Sequence, residues 1–411
     1  MKLAYCGRRR LLLDPLPSLG TLFASNERSG ASCFVDPRDC PGKVVFDLRV
    51  LDLSLYRYQH QFDRCRMETI DTLQNERFAI ESFNWLEPFE PHPFWRGGWM
   101  QTVSIKAIRP TLSLRSHPGV AAFEVREEQR SPDKLRGYFF PSNDHRPTVL
   151  VFHGMGGHAL SNYMLSIAER LIDAGYPTIL WNNRGAGDSA DHCTRCHHPG
   201  NTEDISLLID YLQEERQDWC KQGLMAVAFS LGGNLLLKYL AEKADDSPFQ
   251  AAVSISTPLD METTSRNLRR GLNRIFDRYL LRKKREELLR ECAELSSQER
   301  QAIRNANSVW EMDQTFTAPH LGYESVTDFY RDNSAIHVLG DIQTPTLLFH
   351  AFDDPVVDSN VFTDRDWQRD GPLYPALVAS GGHTGFLSRD GRRWHERATV
   401  RFFDAMSERI D

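Results

Sequence analysis

Leu224-Met-Ala-Val-Ala-Phe-Ser-Leu-Gly-Gly-Asn-Leu235 passes from a short apolar run, through a serine, into two glycines and a leucine-rich segment. This is the order of strand, sharp turn and helix that lifts a serine hydroxyl above the end of a strand. A hydroxyl attacks well only when a neighbouring base takes its proton, so it must be open to both a base and a substrate. Ser230 is therefore the candidate nucleophile, and Ala228 and Gly232 keep the turn uncrowded.

The serine motif is weak when it is taken alone. A Gly-or-Ala, x, Ser, x, Gly pattern arises by chance in roughly one in four chains of this length. The alternative is a serine that only caps the helix after it. The surrounding sequence favours the nucleophile, because the strand and the helix on either side of Ser230 belong to a longer alternating pattern.

That pattern begins near Val120, where short apolar runs start to alternate with helical periods. Such alternation is typical of a mostly parallel sheet with helices on both faces, and it predicts a doubly wound α/β fold that opens with a hairpin. The strands are predicted at 120–125, 135–140, 147–152, 177–181, 224–228, 251–256, 346–350 and 376–379, and helices at about 164–172, 205–212, 235–240 and 394–406.

No strand is predicted between Pro258 and about Ser334, where the sequence has a long, charged, helical stretch. We interpret it as a helical cap over the carboxyl ends of the strands, inserted in a catalytic domain of residues 86–411. Apolar side chains of the cap, with Phe276 and Tyr279 as candidates, are expected to line an acyl channel. Residues 1–85 lack a sustained period, and we interpret them as a poorly ordered extension of unassigned role.

A glycine-rich loop, Phe152-His-Gly-Met-Gly-Gly157, follows one of the predicted strands. Glycines there let the backbone approach a substrate closely. The amide of Met155 is therefore expected to bind a developing oxyanion together with the amide of Leu231. The alternative is a loop that cradles a nucleotide phosphate, but no Lys-Ser/Thr pair follows and no acidic ribose partner is evident.

Acidic residues and a histidine follow the last two predicted strands. Strand 346–350 leads into an Asp-Asp-Pro turn, and strand 376–379 leads into a Gly-Gly-His loop. The order Ser, Asp, His along the chain is the one expected for a serine nucleophile on such a sheet. His383 is the candidate base. Asp354 is the candidate acid, because the sequence Pro-Val-Val follows it. The acid of such a site is usually followed by any residue, then an apolar residue, then valine. Asp353 remains an alternative.

From Phe94 to its end, the chain resembles the YheT-like branch of the α/β hydrolases. The matching stretches are Trp99-Met-Gln-Thr102, His153-Gly154, Asn182-Asn-Arg-Gly-Ala-Gly187, Asn201-Thr-Glu-Asp204, Ser230-Leu-Gly-Gly-Asn-Leu235, Phe329-Tyr-Arg331 with Ser334, Asp353-Asp-Pro355 and Gly382-His383. The resemblance implies an α/β-hydrolase fold. It also implies hydrolysis or transfer of acyl groups from short- to medium-chain esters, monoacylglycerols or phospholipids. A ligand-binding protein without catalytic activity on the same fold is the alternative from another class.

The overall composition excludes several classes of protein. With 411 residues, 41% apolar and 26% charged, and a net charge of −7, the chain is an ordinary globular protein without a sign of nucleic-acid binding. No apolar run approaches the roughly 20 residues that span a bilayer. Eight cysteines without a signal-peptide core predict free thiols in a reducing compartment. We therefore expect a cytoplasmic location and a small-molecule acyl ester or lipid as the substrate.

Cys193-Thr-Arg-Cys-His197 spells a c-type haem attachment motif, and His192 and His198 flank it. Haem is rejected, because its attachment occurs in an oxidising compartment and the motif falls in a loop between a strand and a helix. Adventitious zinc is an alternative, and a plain polar loop beside the site is the simpler interpretation. No cofactor and no metal is expected, because a serine, a histidine and an aspartate suffice for the chemistry.

The predicted cap contains a helix with an apolar face and a basic face. The apolar face holds Leu268, Leu272, Ile275, Phe276, Tyr279 and Leu280, and the basic face holds Arg266, Arg269, Arg270, Arg274, Arg278 and residues 282–285. Such a pattern usually belongs to a packed helix with a solvated face. A further interpretation is a lid that makes peripheral contact with an anionic membrane surface.

Overall fold

The computed structural model describes residues 86–408 except 114–116, 118, 128–131, 143–144, 291–293, 366 and 368–371. Residues 1–85, interpreted above as an extension, lie outside the described residues. Among the helices that are described, none combines the length and the apolar character that crossing a lipid bilayer requires.

The described residues form strands and helices in alternation over most of their length. The strands are β1 (Ala121–Arg126), β2 (Lys134–Phe140), β3 (Thr148–Phe152), β4 (Thr178–Trp181), β5 (Leu224–Phe229), β6 (Phe249–Ile255), β7 (Thr346–Ala351) and β8 (Leu373–Val378). The longer helices are α1 (Gly98–Ala107), α2 (Asn162–Asp173), α3 (Glu203–Glu215), α4 (Leu231–Lys243), α5 (Met261–Leu268), α6 (Arg274–Leu288), α7 (Ser297–Asn305), α8 (Val326–Asp332) and α9 (Trp394–Ser407). Shorter helical turns include Gln217–Cys220, Val309–Met312, Asp313–Thr317, Ala318–His320 and Asn360–Thr363.

One eight-stranded sheet runs through these residues in the order β1-β2-β4-β3-β5-β6-β7-β8. β1 and β2 form the predicted antiparallel hairpin, and β2 also pairs antiparallel with β4. The remaining neighbours are parallel. The prediction of a mostly parallel, doubly wound α/β-hydrolase fold is thus confirmed, and the carboxyl ends of the parallel strands meet at one edge.

Alternate residues of the central strands enter two separate cores. Leu150 and Phe152 of β3 pack on the face covered by α3 and α4, whereas Val149 and Val151 pack on the face covered by α2 and α9. Burial on both faces explains why these strands appear in the sequence as continuous apolar runs rather than as alternating patterns. It also leaves polar side chains to the loops at the strand ends.

The last strand departs from its predicted bounds. β8 begins at Leu373, three residues before the predicted start, and includes Pro375 opposite Leu348 of β7. Proline cannot donate to a strand ladder, but it is tolerated in an edge strand, whose outer side has no partner. β8 is the edge strand of this sheet, which accounts for the difference.

A helical insertion connects β6 to β7 and contains α5 to α8. One of its apolar clusters is formed within the insertion itself, with Leu281, Ile303 and Met312 as fully or nearly fully buried members. A second cluster joins Phe329 of α8 to Leu231 at the start of α4. The insertion therefore has a core of its own and also packs on the end of the sheet where the candidate nucleophile lies.

A buried arginine ties the loop after β4 to the rest of the domain. Arg184 is 1% exposed, and its guanidinium contacts Glu127 at 2.8 Å, Asp133 at 2.7 Å and Asp204 at 3.0 Å. Burial alone would lower the pKa of Arg184, but the carboxylates, Asp204 foremost, outweigh it and raise that pKa. Arg184 and Asp204, which belong to two of the family-like stretches, are thus joined by one ion-pair network.

We expect Arg184→Met to reduce the free energy of unfolding by about 3–5 kcal/mol, because it leaves buried carboxylates without their counter-charge. Arg195→Met is the matched control: Arg195 also contacts Glu127, but its side chain is 42% exposed, so its loss should cost below about 1 kcal/mol. Denaturant unfolding of both variants measures the difference. Equal costs would show that the buried network is not what stabilises this loop.

Candidate active site

Ser230 occupies the sharp turn between β5 and α4 with φ 50° and ψ −121°, a backbone conformation that a residue with a side chain rarely adopts. Its N–H donates to the carbonyl oxygen of Ile255 at 2.8 Å, and its own carbonyl accepts from Gly233 N–H at 2.8 Å. Such a conformation costs about 1–3 kcal/mol and persists only where neighbouring structure enforces it.

Glycines allow the turn to pack against the loop after β3. A Cβ at Gly232 would collide with the carbonyl oxygen of His153, and a Cβ at Gly154 would lie 2.9 Å from the Cβ of Ser230. Ala228, the last but one residue of β5, is fully buried. The small residue predicted at position 232 is therefore required, because the backbone of Gly232 contacts the backbone of the loop after β3.

His383 and Asp354 form a hydrogen-bonded chain with Ser230. His383 Nε2 lies 2.9 Å from Ser230 Oγ, and His383 Nδ1 lies 2.9 Å from Asp354 Oδ2. A carboxylate only accepts hydrogen bonds, so Nδ1 carries the proton and Nε2 is free to accept from the hydroxyl. The structure thus brings together the three residues that the sequence proposed from three separate strand ends.

The carboxylate of Asp354 is held in its ionised form. Its Oδ1 accepts from the amides of Val356 at 2.7 Å and Val357 at 3.0 Å. Burial alone would raise the pKa of Asp354, but His383 and these hydrogen bonds outweigh burial and lower it. An ionised Asp354 fixes the tautomer of His383, with the proton on Nδ1, and orients the ring.

Asp353, the alternative acid, has a different position. Its Oδ1 accepts from the amides of Gly381 at 2.9 Å and Gly382 at 2.8 Å. It therefore holds the loop that carries His383, whereas the ring of His383 bonds to Asp354. Of the two adjacent aspartates, Asp354 thus binds the side chain of His383, and Asp353 binds the backbone of the loop that carries it.

Helix α1 supports the same loop, a contribution that the sequence analysis missed. The hydroxyl of Thr102 accepts from the N–H of His383 at 2.8 Å. The amide side chain of Gln101 donates to the carbonyl of Trp95 at 2.7 Å and accepts from the N–H of Leu387 at 2.7 Å. The available signal was the run Trp99-Met-Gln-Thr102, in which buried polar residues stand where a packed helix would have apolar ones.

The loop predicted to bind an oxyanion is fixed by two aromatic side chains. Tyr163 Oη accepts from the N–H of Gly154 at 3.1 Å. His153 Nδ1 lies 2.8 Å from the carbonyl oxygen of Gly154, and its Nε2 accepts from the N–H of Asn183 at 3.1 Å. Burial lowers the pKa of His153 to about 3, which leaves the ring neutral. Neither role was assigned from the sequence.

Both amides proposed for the oxyanion lie beside Ser230. Met155 and Leu231 line the same cavity as the serine, and within the described part of the chain their N–H groups have no hydrogen-bond acceptor. Free amides at this position are what the stabilisation of a developing negative charge requires.

The cavity encloses about 820 Å³ of empty space, counted out to its open mouth, between the strand ends and the insertion. Leu280, Lys284 and Leu288, spaced by four on α6, line it. The expectation for Phe276 and Tyr279 is wrong for this cavity, because both residues face α1. The ring of Phe276 lies 4.4 Å from that of Trp99, and Lys106 Nζ lies 3.5 Å from the ring of Tyr279.

The cysteine and histidine loop also borders the cavity, through Cys196, His197 and His198. Its other cysteine, Cys193, is buried and bonds through Sγ to the carbonyl of Lys134 at 3.4 Å. Among the residues that the structure describes, no three His, Cys, Asp or Glu side chains are grouped so that they could hold a metal ion.

Several known proteins are similar to this chain in sequence. A family model described as "Serine aminopeptidase, S33" matches residues 143–365. The putative esterase YheT of Escherichia coli (strain K12) is 32% identical over 246 residues, which are 59% of this chain and 71% of that protein. An abhydrolase domain-containing protein of Dictyostelium discoideum is 26% identical over 390 residues, 93% of this chain and 95% of that protein.

A third relative is the monoacylglycerol lipase of Saccharomyces cerevisiae (strain ATCC 204508 / S288c), which is 26% identical over 280 residues, 66% of this chain and 61% of that protein. The sheet topology, the family model that matches more than half of the chain and the similarity to the Escherichia coli protein agree with one another. The chain therefore belongs to the α/β-hydrolase family described as serine aminopeptidase, S33, and it is a hydrolase.

Proposed function

We propose that the chain is a serine carboxylic-ester hydrolase that works through an acyl-enzyme intermediate. The observation that carries the proposal is the unbroken hydrogen-bonded chain from Ser230 Oγ through His383 to Asp354, with 2.9 Å at each contact with the ring. Nucleophile, base and orienting acid are within the distance that proton transfer requires.

In the first half of the reaction, His383 Nε2 takes the hydroxyl proton while Ser230 Oγ bonds to the ester carbonyl carbon. The amides of Met155 and Leu231 receive the resulting oxyanion. The carbon–oxygen bond to the alcohol then breaks, and the alcohol leaves with the proton from His383. Asp354 stabilises the imidazolium in between.

In the second half, His383 takes a proton from water, and the hydroxide that forms attacks the acyl-serine. Collapse of this second tetrahedral intermediate returns the proton to Ser230 and releases the acid. An alcohol in place of water would make the chain an acyltransferase, so the product formed with an added alcohol distinguishes the two activities.

The substrates proposed are short- to medium-chain acyl esters, including monoacylglycerol-type lipids. The cavity supports this class, since Leu268, Leu280, Leu288 and Val309 give it apolar walls beside Ser230. The name of the yeast relative, a monoacylglycerol lipase, points the same way. Each methylene that fits such walls adds about 0.8 kcal/mol of binding.

We further propose that the helical insertion, predicted above as a cap from Pro258 to about Ser334, contacts an anionic lipid surface. Leu272 and Ile275 are each 42% exposed, and they are two of the three large apolar residues that are exposed in the described part of the chain. Three exposed arginines, Arg270, Arg274 and Arg278, are close to them in the sequence. A basic surface with apolar residues on a chain of net charge −7 is complementary to anionic headgroups.

We expect Ser230→Ala to abolish both ester hydrolysis and labelling by a fluorophosphonate probe. Its melting temperature should not fall, because the hydroxyl contributes little to packing. Hydrolysis of nitrophenyl esters and gel fluorescence of the probe measure the two losses. A wild-type protein that resists the probe and cleaves no ester would favour a ligand-binding protein instead.

Asp354→Asn should lower kcat by about 10³- to 10⁴-fold, because an amide can no longer fix the tautomer of His383. Asp353→Asn is the matched control, since the amide oxygen of asparagine still accepts from Gly381 and Gly382. It should cost about tenfold or less. Steady-state kinetics on one nitrophenyl ester compares the two, and the opposite ranking would assign the acid to Asp353.

Arg270→Gln with Arg274→Gln should weaken binding to vesicles that contain phosphatidylglycerol by roughly ten- to thirty-fold, since each arginine near an anionic surface contributes about 1 kcal/mol. Arg389→Gln with Arg392→Gln removes the same charge from another exposed surface and should leave binding unchanged. Co-sedimentation with anionic and with phosphatidylcholine vesicles measures both. Equal losses in the two double variants would refute a specific contact.

A further inference from the structure

The cavity beside Ser230 has a polar side as well as apolar walls. His197, His198, Lys284, Glu287 and Asp313 all line it. Polar groups in an otherwise apolar pocket are costly unless they have hydrogen-bond partners. Some of these groups are paired within the protein, and the others are available to a ligand.

One set is paired internally. The ammonium of Lys284 contacts Asp313 Oδ1, and Asp313 Oδ2 accepts from the hydroxyl of Tyr330 at 2.9 Å. The charges of Lys284 and Asp313 cancel. This set fastens α6 to the helical turn Asp313–Thr317 and needs no ligand.

A second set has open hydrogen-bonding positions. The carboxyl group of Glu287 has no hydrogen-bond partner among the described residues, and burial raises its pKa to about 7. Cys196 and Arg290 bond to Glu287 only through its backbone carbonyl. Glu287 lines the cavity, and among the described residues both oxygens of its carboxyl group are without a hydrogen-bond partner.

The two histidines add one acceptor and one donor. His197 Nδ1 lies 3.2 Å from the carbonyl oxygen of Arg184, so Nδ1 carries the proton and Nε2 is an acceptor. His198 Nδ1 accepts from the N–H of Gly200 at 3.2 Å, so its proton is on Nε2, which is a donor. Burial lowers the pKa of each ring to about 4, and both are neutral at pH 7.

We propose that this side of the cavity binds a neutral, hydroxylated alcohol portion of the ester, as in a glycerol ester, with Glu287, His197 and His198 as its hydrogen-bond partners. The inference rests on the proposed ester hydrolysis at Ser230. A hydroxyl group both donates and accepts, so a diol can satisfy the open positions of all three side chains.

Two other classes of alcohol fit poorly. A plain alkyl group would bury these polar side chains without partners, which costs free energy for each one. A phosphate would meet the carboxyl group of Glu287 and two neutral rings, and the cation of Lys284 is already paired with Asp313. The polar side of the cavity therefore selects for hydroxyl groups and against negative charge.

The test compares kcat/KM for 1-monodecanoylglycerol and propyl decanoate, which share the acyl chain and a three-carbon alcohol. For the wild-type enzyme we expect a preference of at least about tenfold for the glycerol ester, which corresponds to about 1.4 kcal/mol. Glu287→Met, similar in shape, should bring the ratio close to one. Glu287→Gln, which still accepts hydrogen bonds, should keep most of it.

Glu286→Met is the matched control, because Glu286 is the preceding residue of α6, is exposed and pairs with Lys283. It should retain the wild-type ratio. A wild-type ratio near one, an unchanged ratio in Glu287→Met, or faster cleavage of the glycerol 3-phosphate ester would overturn the subsite while propyl decanoate is still hydrolysed. Loss of all hydrolysis and of fluorophosphonate labelling in the wild type would instead overturn the proposed function.

Discussion

The close approach of two backbone segments at Ser230 is the constraint on which the site depends. Gly232 packs on the carbonyl of His153, and Gly154 packs on the side chain of Ser230. These contacts hold the serine turn against the loop after β3. The amides of Met155 and Leu231 then have a fixed relation to the hydroxyl, and only the histidine has to be brought to it.

The histidine is positioned by parts of the chain that are far apart in sequence. Asp353 and Thr102 bind the backbone of its loop, Ser256 accepts from Thr384 N–H at 2.9 Å, and Asp354 binds the ring. Together they fix both the backbone and the side chain, so that His383 meets Ser230 without adjustment when a substrate arrives.

Local patterns predicted what is locally determined. The apolar runs predicted the strands. Ser230, Asp354 and His383 each follow a predicted strand, and because parallel strands run in the same direction, the three residues were expected at the same edge of the sheet. Tertiary packing decided the rest. Pro375 is allowed only because β8 is an edge strand, and the roles of Asp353 and Asp354 differ by which way each side chain turns. The amphipathic pattern around Phe276 predicted that this residue is on an apolar face. It did not predict that the face packs on Trp99 of α1 rather than lining the cavity.

The separate core of the insertion has a consequence for how such enzymes diversify. The buried members of this core, among them Leu281, Ile303 and Met312, all belong to the insertion, and the residues outside the insertion that pack against it are the partly buried Met155 and Cys196. Substitutions at distant, independent sites have additive effects on stability. Substitutions around this core can therefore accumulate while the geometry of Ser230 and His383 is preserved. The same catalytic residues can then be combined with insertions of different sequence.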